Sequence, residues 1–295
     1  MELDAPVEIS EVVFILNGSA GLNRAVEARD LIARIAAEAR TPARVHIAGS
    51  GSEVCTLARR AVEQGARMVV AGGGDGTVNA VAATLVGTNT TLGVLPLGTL
   101  NHFAKDIGIP LKLEEAVRNI FSGRVANVDM VEVNGHVFLN NSSIGLYPRI
   151  VRQREQGQKR GYNKWMAFAR AVASVLRRHS RLHARLDLDE NTKLVRATPF
   201  VFVGNNKYEM TGLDIGGRTT LVGGQLWVYL TRHAGRGNLL LVALRALFGR
   251  LSKGDLDAFG TEEIWIHTKR KRVDVSTDGE VNAMDTPLHY RCCPR

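Results

Sequence analysis

Over the first 125 residues, short apolar runs alternate with amphipathic stretches, and most runs end in a polar loop containing glycine. Residues 11–16 hold Val12, Val13, Phe14 and Ile15 and run into Asn17-Gly18-Ser19-Ala20-Gly21. Ala28, Leu31, Ile32, Ile35 and Ala39 follow at helical spacing. The alternation continues with a strand at 44–47, a helix at 52–64, a strand at 66–71, a helix at 78–86, a strand at 91–95 and a helix at 113–121. Parallel strands need crossover connections, so this pattern predicts βα units and an open α/β sheet. Ligands of such sheets bind beyond the carboxyl ends of the strands. The glycine-bearing loops at 17–21, 72–77 and 96–101 all fall there.

Beyond residue 125 the texture changes. Strand-like runs at 128–133 and 136–141 flank Asn134-Gly135, a strong hairpin signal. Further short strands are predicted at 182–188, 198–203, 226–230, 263–267 and 273–275, with helices at 163–179 and 239–251. This predicts an antiparallel β-rich second domain. A length of 295 residues suits about two domains. We read an α/β nucleotide-binding domain over 1–125 and a β-rich domain over 126–284.

Composition narrows the class. Hydrophobic residues make up 45% and charged residues 23%, which is ordinary for a folded protein. No run approaches the ~18–20 apolar residues of a membrane span. The start, Met1-Glu2-Leu3-Asp4, lacks the layout of a secretory signal. Three cysteines, two of them adjacent (Cys292 and Cys293), exclude a disulfide framework and point to a reducing cytoplasm. The net charge of +9 is local: residues 149–185 carry eleven cations and one acid, leaving 27 against 28 elsewhere. Such a segment attracts nucleic acid, phosphorylated substrate or a membrane surface.

The loop Gly72-Gly73-Gly74-Asp75-Gly76-Thr77-Val78-Asn79 lies between a buried strand and a helix. Its glycines let amides approach phosphate, and the helix N-terminus adds positive potential. Thr77 and Asn79 offer neutral hydrogen bonds. Asp75 would repel phosphate unless a cation or proton intervened, which suggests Mg²⁺ or general-base work. The alternative is a tight turn with Asp75 as N-cap. No Gly-Lys-Ser/Thr follows, so this is no Walker A loop, and Asn79 stands where a dinucleotide fingerprint needs its third glycine. Three glycine-bearing loops at neighbouring strand ends make nucleotide phosphate the leading ligand.

The run from Gly73 to Asn79, followed by Leu95-Pro96-Leu97-Gly98-Thr99-Leu100-Asn101-His102-Phe103-Ala104, resembles the diacylglycerol kinase catalytic family, which includes bacterial lipid kinases and sphingosine kinases. Asp278-Gly279-Glu280 before Thr286-Pro287-Leu288 extends the likeness to the C-terminus. The resemblance implies an α/β nucleotide domain, a β-sandwich, and a last segment, 285–295, that returns to the first domain. It implies ATP and Mg²⁺ as cofactors and transfer of the γ-phosphoryl group to a lipid hydroxyl. Asn17, Gly73, Gly74, Asp75, Gly76, Thr77, Val78, Asn79, Gly98 and Thr99 would hold ATP, with Asp75 and Asp129 near Mg²⁺. Asp278 is taken as the base and Glu280 as its supporting partner. Departures from the family pattern are Gly18 and Ala20 in the first loop, Ala48 after the second strand, His102 in an acid's place, and Val222-Gly223-Gly224 where an Asp for a structural cation is expected.

Trp165, Phe168, Val172 and Leu176 fall on one face of the helix at 163–181, and Arg170, Arg177, Arg178 and Arg181 on the other. For a lipid kinase this implies peripheral docking on an anionic membrane; the alternative is a packed helix with a solvated face. Two further readings stay open. An NAD kinase-like enzyme would use Asp75 as base. A nucleic-acid-binding protein is disfavoured by the lack of any recognisable motif. Lipid identity and oligomeric state, including a homodimer, are not legible.

Overall fold

The computed structural model describes residues 11–20, 22–146, 148, 182–187, 193–211, 214–231 and 256–294. The chain divides into two compact units, Met1–Asn127 and Val128–Arg295.

The first unit has four parallel strands, β1 (Val12–Asn17), β2 (Ala43–Ala48), β3 (Met68–Gly73) and β4 (Thr91–Pro96), in the order β2-β1-β3-β4. Helices α1 (Leu22–Ala39), α2 (Gly51–Glu63), α3 (Asp75–Leu85), α4 (His102–Asp106) and α5 (Leu113–Ser122) connect and cover them. β1 and β3 are apolar and buried almost throughout, as strands covered on both faces must be. Phe14, Leu16, Ile32, Val70, Leu95 and Ile120 share one core. The strand order reverses at β1, with β2 on one side and β3 on the other. That reversal opens a crevice beyond Asn17 and Gly73.

The second unit is a pair of antiparallel six-stranded sheets. One runs β14 (Leu256–Thr261), β13 (Leu226–Thr231), β10 (Phe200–Asn205), β7 (Asn141–Gly145), β16 (Arg272–Thr277) and β17 (Glu280–Asp285). The other runs β6 (His136–Phe138), β5 (Met130–Val133), β18 (Leu288–Cys293), β15 (Glu263–Thr268), β8 (Leu182–Asp187) and β9 (Lys193–Thr198). A two-stranded ribbon pairs β11 (Tyr208–Thr211) with β12 (Asp214–Arg218). Alternate residues of both six-stranded sheets, among them Ile144, Val203, Val228, Val275, Leu186, Ile266 and Tyr290, form one core, so the two pack as a sandwich. The hydroxyls of Ser142 and Tyr290 meet across it at 3.0 Å.

The unit boundary falls after Asn127, close to the expected residue 125. Within the expected C-terminal segment 285–295, Leu288–Cys293 form β18 of the second unit. β18 is an inner strand of the second unit, between β5 and β15, because Leu288, Tyr290 and Cys292 alternate inward and bury there. The expected strand at 136–141 is also two strands in different sheets, β6 and the start of β7. The expected helices at 163–181 and 239–251 lie outside the described residues. Among the described residues, no helix is long and apolar enough to cross a membrane.

Candidate active site

In the first unit three loops meet at the ends of β1, β3 and β4. Asn17 closes β1, and its Nδ2 donates to Thr77 Oγ1 at 2.9 Å. A hydroxyl that accepts this bond keeps its own proton to donate. Gly73 O accepts from both Leu97 N (3.0 Å) and Gly98 N (3.1 Å), so the loops after β3 and β4 cross in contact. A Cβ on Gly98 would lie 2.4 Å from Gly74 Cα, and one on Gly73 would lie 2.4 Å from Thr77 Oγ1. Close approach, not unusual φ, is what requires glycine at 73 and 98.

Gly74 is the N-cap of α3 and offers no side chain, so the first-turn amides of Asp75, Gly76 and Thr77 have no side-chain cap. Such amides, with the helix dipole, form an anion site. Asp75 therefore does not cap its own helix. Its Oδ1 accepts from Phe103 N at 3.1 Å, in the first turn of α4, and ties the two loops together. Asn101, at φ 50°, closes the second loop. Its Oδ1 accepts from Gly98 N (3.1 Å) and its Nδ2 donates to Gly98 O (2.9 Å). Val78 is buried, Asn79 half-buried and Thr99 exposed.

In the second unit, Asp278 and Gly279 are the two central residues of the β16–β17 hairpin, with φ of 47° and 89°. Two positive φ values make a type I′ turn, which Asp-Gly favours. The Asp278 side chain folds back onto the segment between β6 and β7. Its Oδ1 accepts from Asn140 N and Asn141 N, both at 3.0 Å, and its Oδ2 from Leu139 N at 2.9 Å. Three of about four acceptor positions of a carboxylate are thus engaged. Burial raises its pKa, while the three amides and the Arg218 charge pull it back; the net direction is upward. Glu280, two residues on, is exposed. The pair is therefore split into an anchored carboxylate and a solvent-facing one.

Asp129, expected beside Mg²⁺, is 1% exposed. Its Oδ2 accepts from Gly224 N (2.7 Å) and Asn206 Nδ2 (3.0 Å), while Asn206 Oδ1 accepts from Gly223 N (2.9 Å). Two donors of the protein thus converge on one oxygen of this carboxylate. Among the described residues, no three His, Cys, Asp or Glu side chains are grouped to hold a metal. Cys292 is unsuited to chemistry, since burial first and nearby acids second push its thiol up to about 12.

Residues 11–133 match the diacylglycerol kinase catalytic domain. Over those residues the chain is similar to that domain. The match spans all three phosphate-side loops and ends in β5 of the second unit. An uncharacterized protein of Synechocystis sp. is 26% identical over 267 residues, covering 86% of this chain and 60% of its own length. The "Probable lipid kinase YegS-like" of Yersinia pestis is 42% identical over 105 residues, 32% of this chain and 36% of that protein. The alignments thus span under two thirds of these relatives. A crystal structure of a diacylglycerol kinase from Bacillus anthracis str. Sterne superposes with a TM-score of 0.71 at 18% identity, covering 98% of this chain and 96% of that one. That likeness is one of fold, and it includes the second unit.

Sequence reasoning assigns no role to Asn101, Asn140 or Arg218. Asn101 was findable, since Asn after Gly-x-x is a candidate for positive φ. Arg218 had no signal, because the ribbon carrying it has no clear periodicity.

Proposed function

We propose that this chain is an ATP-dependent kinase that phosphorylates a lipid hydroxyl. The observation that carries the reading is the junction of Asn17, Gly73–Thr77 and Gly98–Asn101 at the strand ends of a diacylglycerol kinase catalytic domain. The amides of Asp75, Gly76 and Thr77 bind phosphate oxygens, and the Thr77 hydroxyl, oriented by Asn17, donates to them. Mg²⁺ fits Asp75. Its Oδ1 is held by Phe103 N, its second oxygen remains to bind, and Mg²⁺ commonly takes one or two carboxylates plus substrate phosphates. When bound, the ion neutralises phosphate charge.

We assign the base to Glu280 and an anchoring role to Asp278, reversing the order taken from the sequence. The exposed Glu280 carboxylate accepts the acceptor hydroxyl proton. The freed oxygen bonds to the γ-phosphorus while the bond to the β–γ bridging oxygen breaks, and ADP leaves. The NAD kinase-like alternative needs Asp75 as base, and its bond to Phe103 N weighs against that. Peripheral docking on an anionic membrane from the cytoplasm belongs to this proposal. It is supported by the cationic segment 149–185 and by the exposed run Lys269-Arg270-Lys271-Arg272, which leads from β15 into the start of β16. The test is transfer of labelled phosphoryl from ATP to lipid. Glu280→Gln is expected to lower turnover by about 10²–10⁴-fold with ATP binding retained; a fully active Glu280→Gln enzyme would overturn the assignment.

A further inference from the structure

The amides that hold Asp278 are themselves held from behind. The peptide joining Leu139 to Asn140 presents its N–H to Asp278 Oδ1. Its carbonyl, on Leu139, accepts from Arg218 Nη1 at 2.6 Å and from Asn205 Nδ2 at 2.9 Å. Arg218 Nη2 donates to Asn140 Oδ1 at 3.0 Å, and Nη1 also reaches Asn205 O at 3.3 Å. Asn205 is fully buried and ties the same carbonyl to Asp129 O at 2.7 Å. A guanidinium and a carboxylate therefore act on opposite ends of one peptide dipole. Chains of this kind strengthen in a low-dielectric interior.

We propose that Arg218 is a positioning residue for the carboxylate pair. Through the Leu139–Asn140 peptide it fixes Asp278, hence the β16–β17 turn, and hence the place where Glu280 is presented. The inference rests on the kinase reading of that pair. The planar fork explains arginine: two nitrogens bond three oxygens in fixed directions, which a lysine ammonium cannot reproduce. Arg218 is also the charge that stabilises the ionised form of Asp278. Other titratable groups beside this cluster are Glu280 on β17, Asp129, whose backbone oxygen accepts from Asn205 Nδ2 and whose Oδ2 accepts from the neighbouring Asn206 Nδ2, and Tyr208 on β11, whose hydroxyl lies 3.5 Å from Asn141 Nδ2.

The test uses the full-length chain as wild type, Arg218→Met and Arg218→Lys. Lipid phosphorylation is followed against pH with kcat and KM separated, and the Asp278 carboxyl is titrated by carbon NMR. Arg218→Met is expected to lose about 100-fold in kcat, the cost of slight misplacement, with KM for ATP unchanged. Its acid limb moves to higher pH, because Asp278 protonates more readily without the cation. The Asp278 titration moves the same way, and Arg218→Lys falls between the two. A wild-type kcat, or a uniform loss with the acid limb and titration unmoved, would overturn the proposal. If Arg218→Met fails to fold, Arg218→Lys decides by the same criteria. The NMR arm needs no turnover. A shifted titration in an enzyme that phosphorylates no lipid would therefore reject the kinase reading and keep the coupling of Arg218 to Asp278.

Discussion

Two glycines a single loop apart are not equivalent. A Cβ on Gly98 meets the Gly74 backbone at 2.4 Å, whereas a Cβ on Gly74 lies 3.5 Å from Gly98 Cα, an ordinary contact. Gly98→Ala is expected to cost about 1–3 kcal/mol of stability, because two backbones must separate. Gly74→Ala should leave the melting temperature close to wild type. Calorimetry of the two variants checks this, and equal losses would contradict the crossing. Asp278 carries a pH signature. Its folded pKa is raised, so the native state binds this proton more tightly than the unfolded chain does. Its contribution to stability is fully present below the unfolded value near 3.8 and is lost as pH rises through the folded value. Relative to Asp278→Asn, wild type should therefore lose stability as pH rises through that window. A stability difference between the two that stays flat across acid pH would count against the buried carboxylate.

At the scale of elements, the first unit was the more legible. Its strands are buried on both faces, so Val12–Asn17 and Met68–Gly73 read as continuous apolar runs, and the phosphate-side loops follow from their ends. The turns at Asn134-Gly135 and Asp278-Gly279 were legible for a local reason: both need positive φ twice over, which few residues tolerate. The role of Asp278 was not legible, because its partners are amides 137 to 139 positions away in the chain. β18 was missed because its inward residues, Leu288, Tyr290 and Cys292, alternate with His289, Arg291 and Cys293 and look like a polar tail. Ending the chain at residue 285 should abolish cooperative unfolding of the second unit. It removes an inner strand whose large buried side chains contribute about 1.5–3 kcal/mol each, and it bares the edges of β5 and β15. A truncated protein with a wild-type melt would contradict the placement of β18.

For the molecule as a whole, the proposed kinase reading draws on residues of both units. The first presents amides, Asn17, Thr77 and Asp75 at the ends of a parallel sheet. The second presents an anchored Asp278 and an exposed Glu280 on a sandwich hairpin. On the proposed reading, a phosphoryl transfer needs both a phosphate cradle and a base. The charge excess fits the same account, since a lipid acceptor is met at a membrane surface. The central claim is tested most directly by incubating the full-length enzyme with labelled ATP, Mg²⁺ and vesicles of total lipid extract, with and without anionic lipid. Label is expected in one lipid class, more strongly on anionic vesicles, and absent with Glu280→Gln. An enzyme that binds ATP yet labels no lipid under any of these conditions would contradict the account.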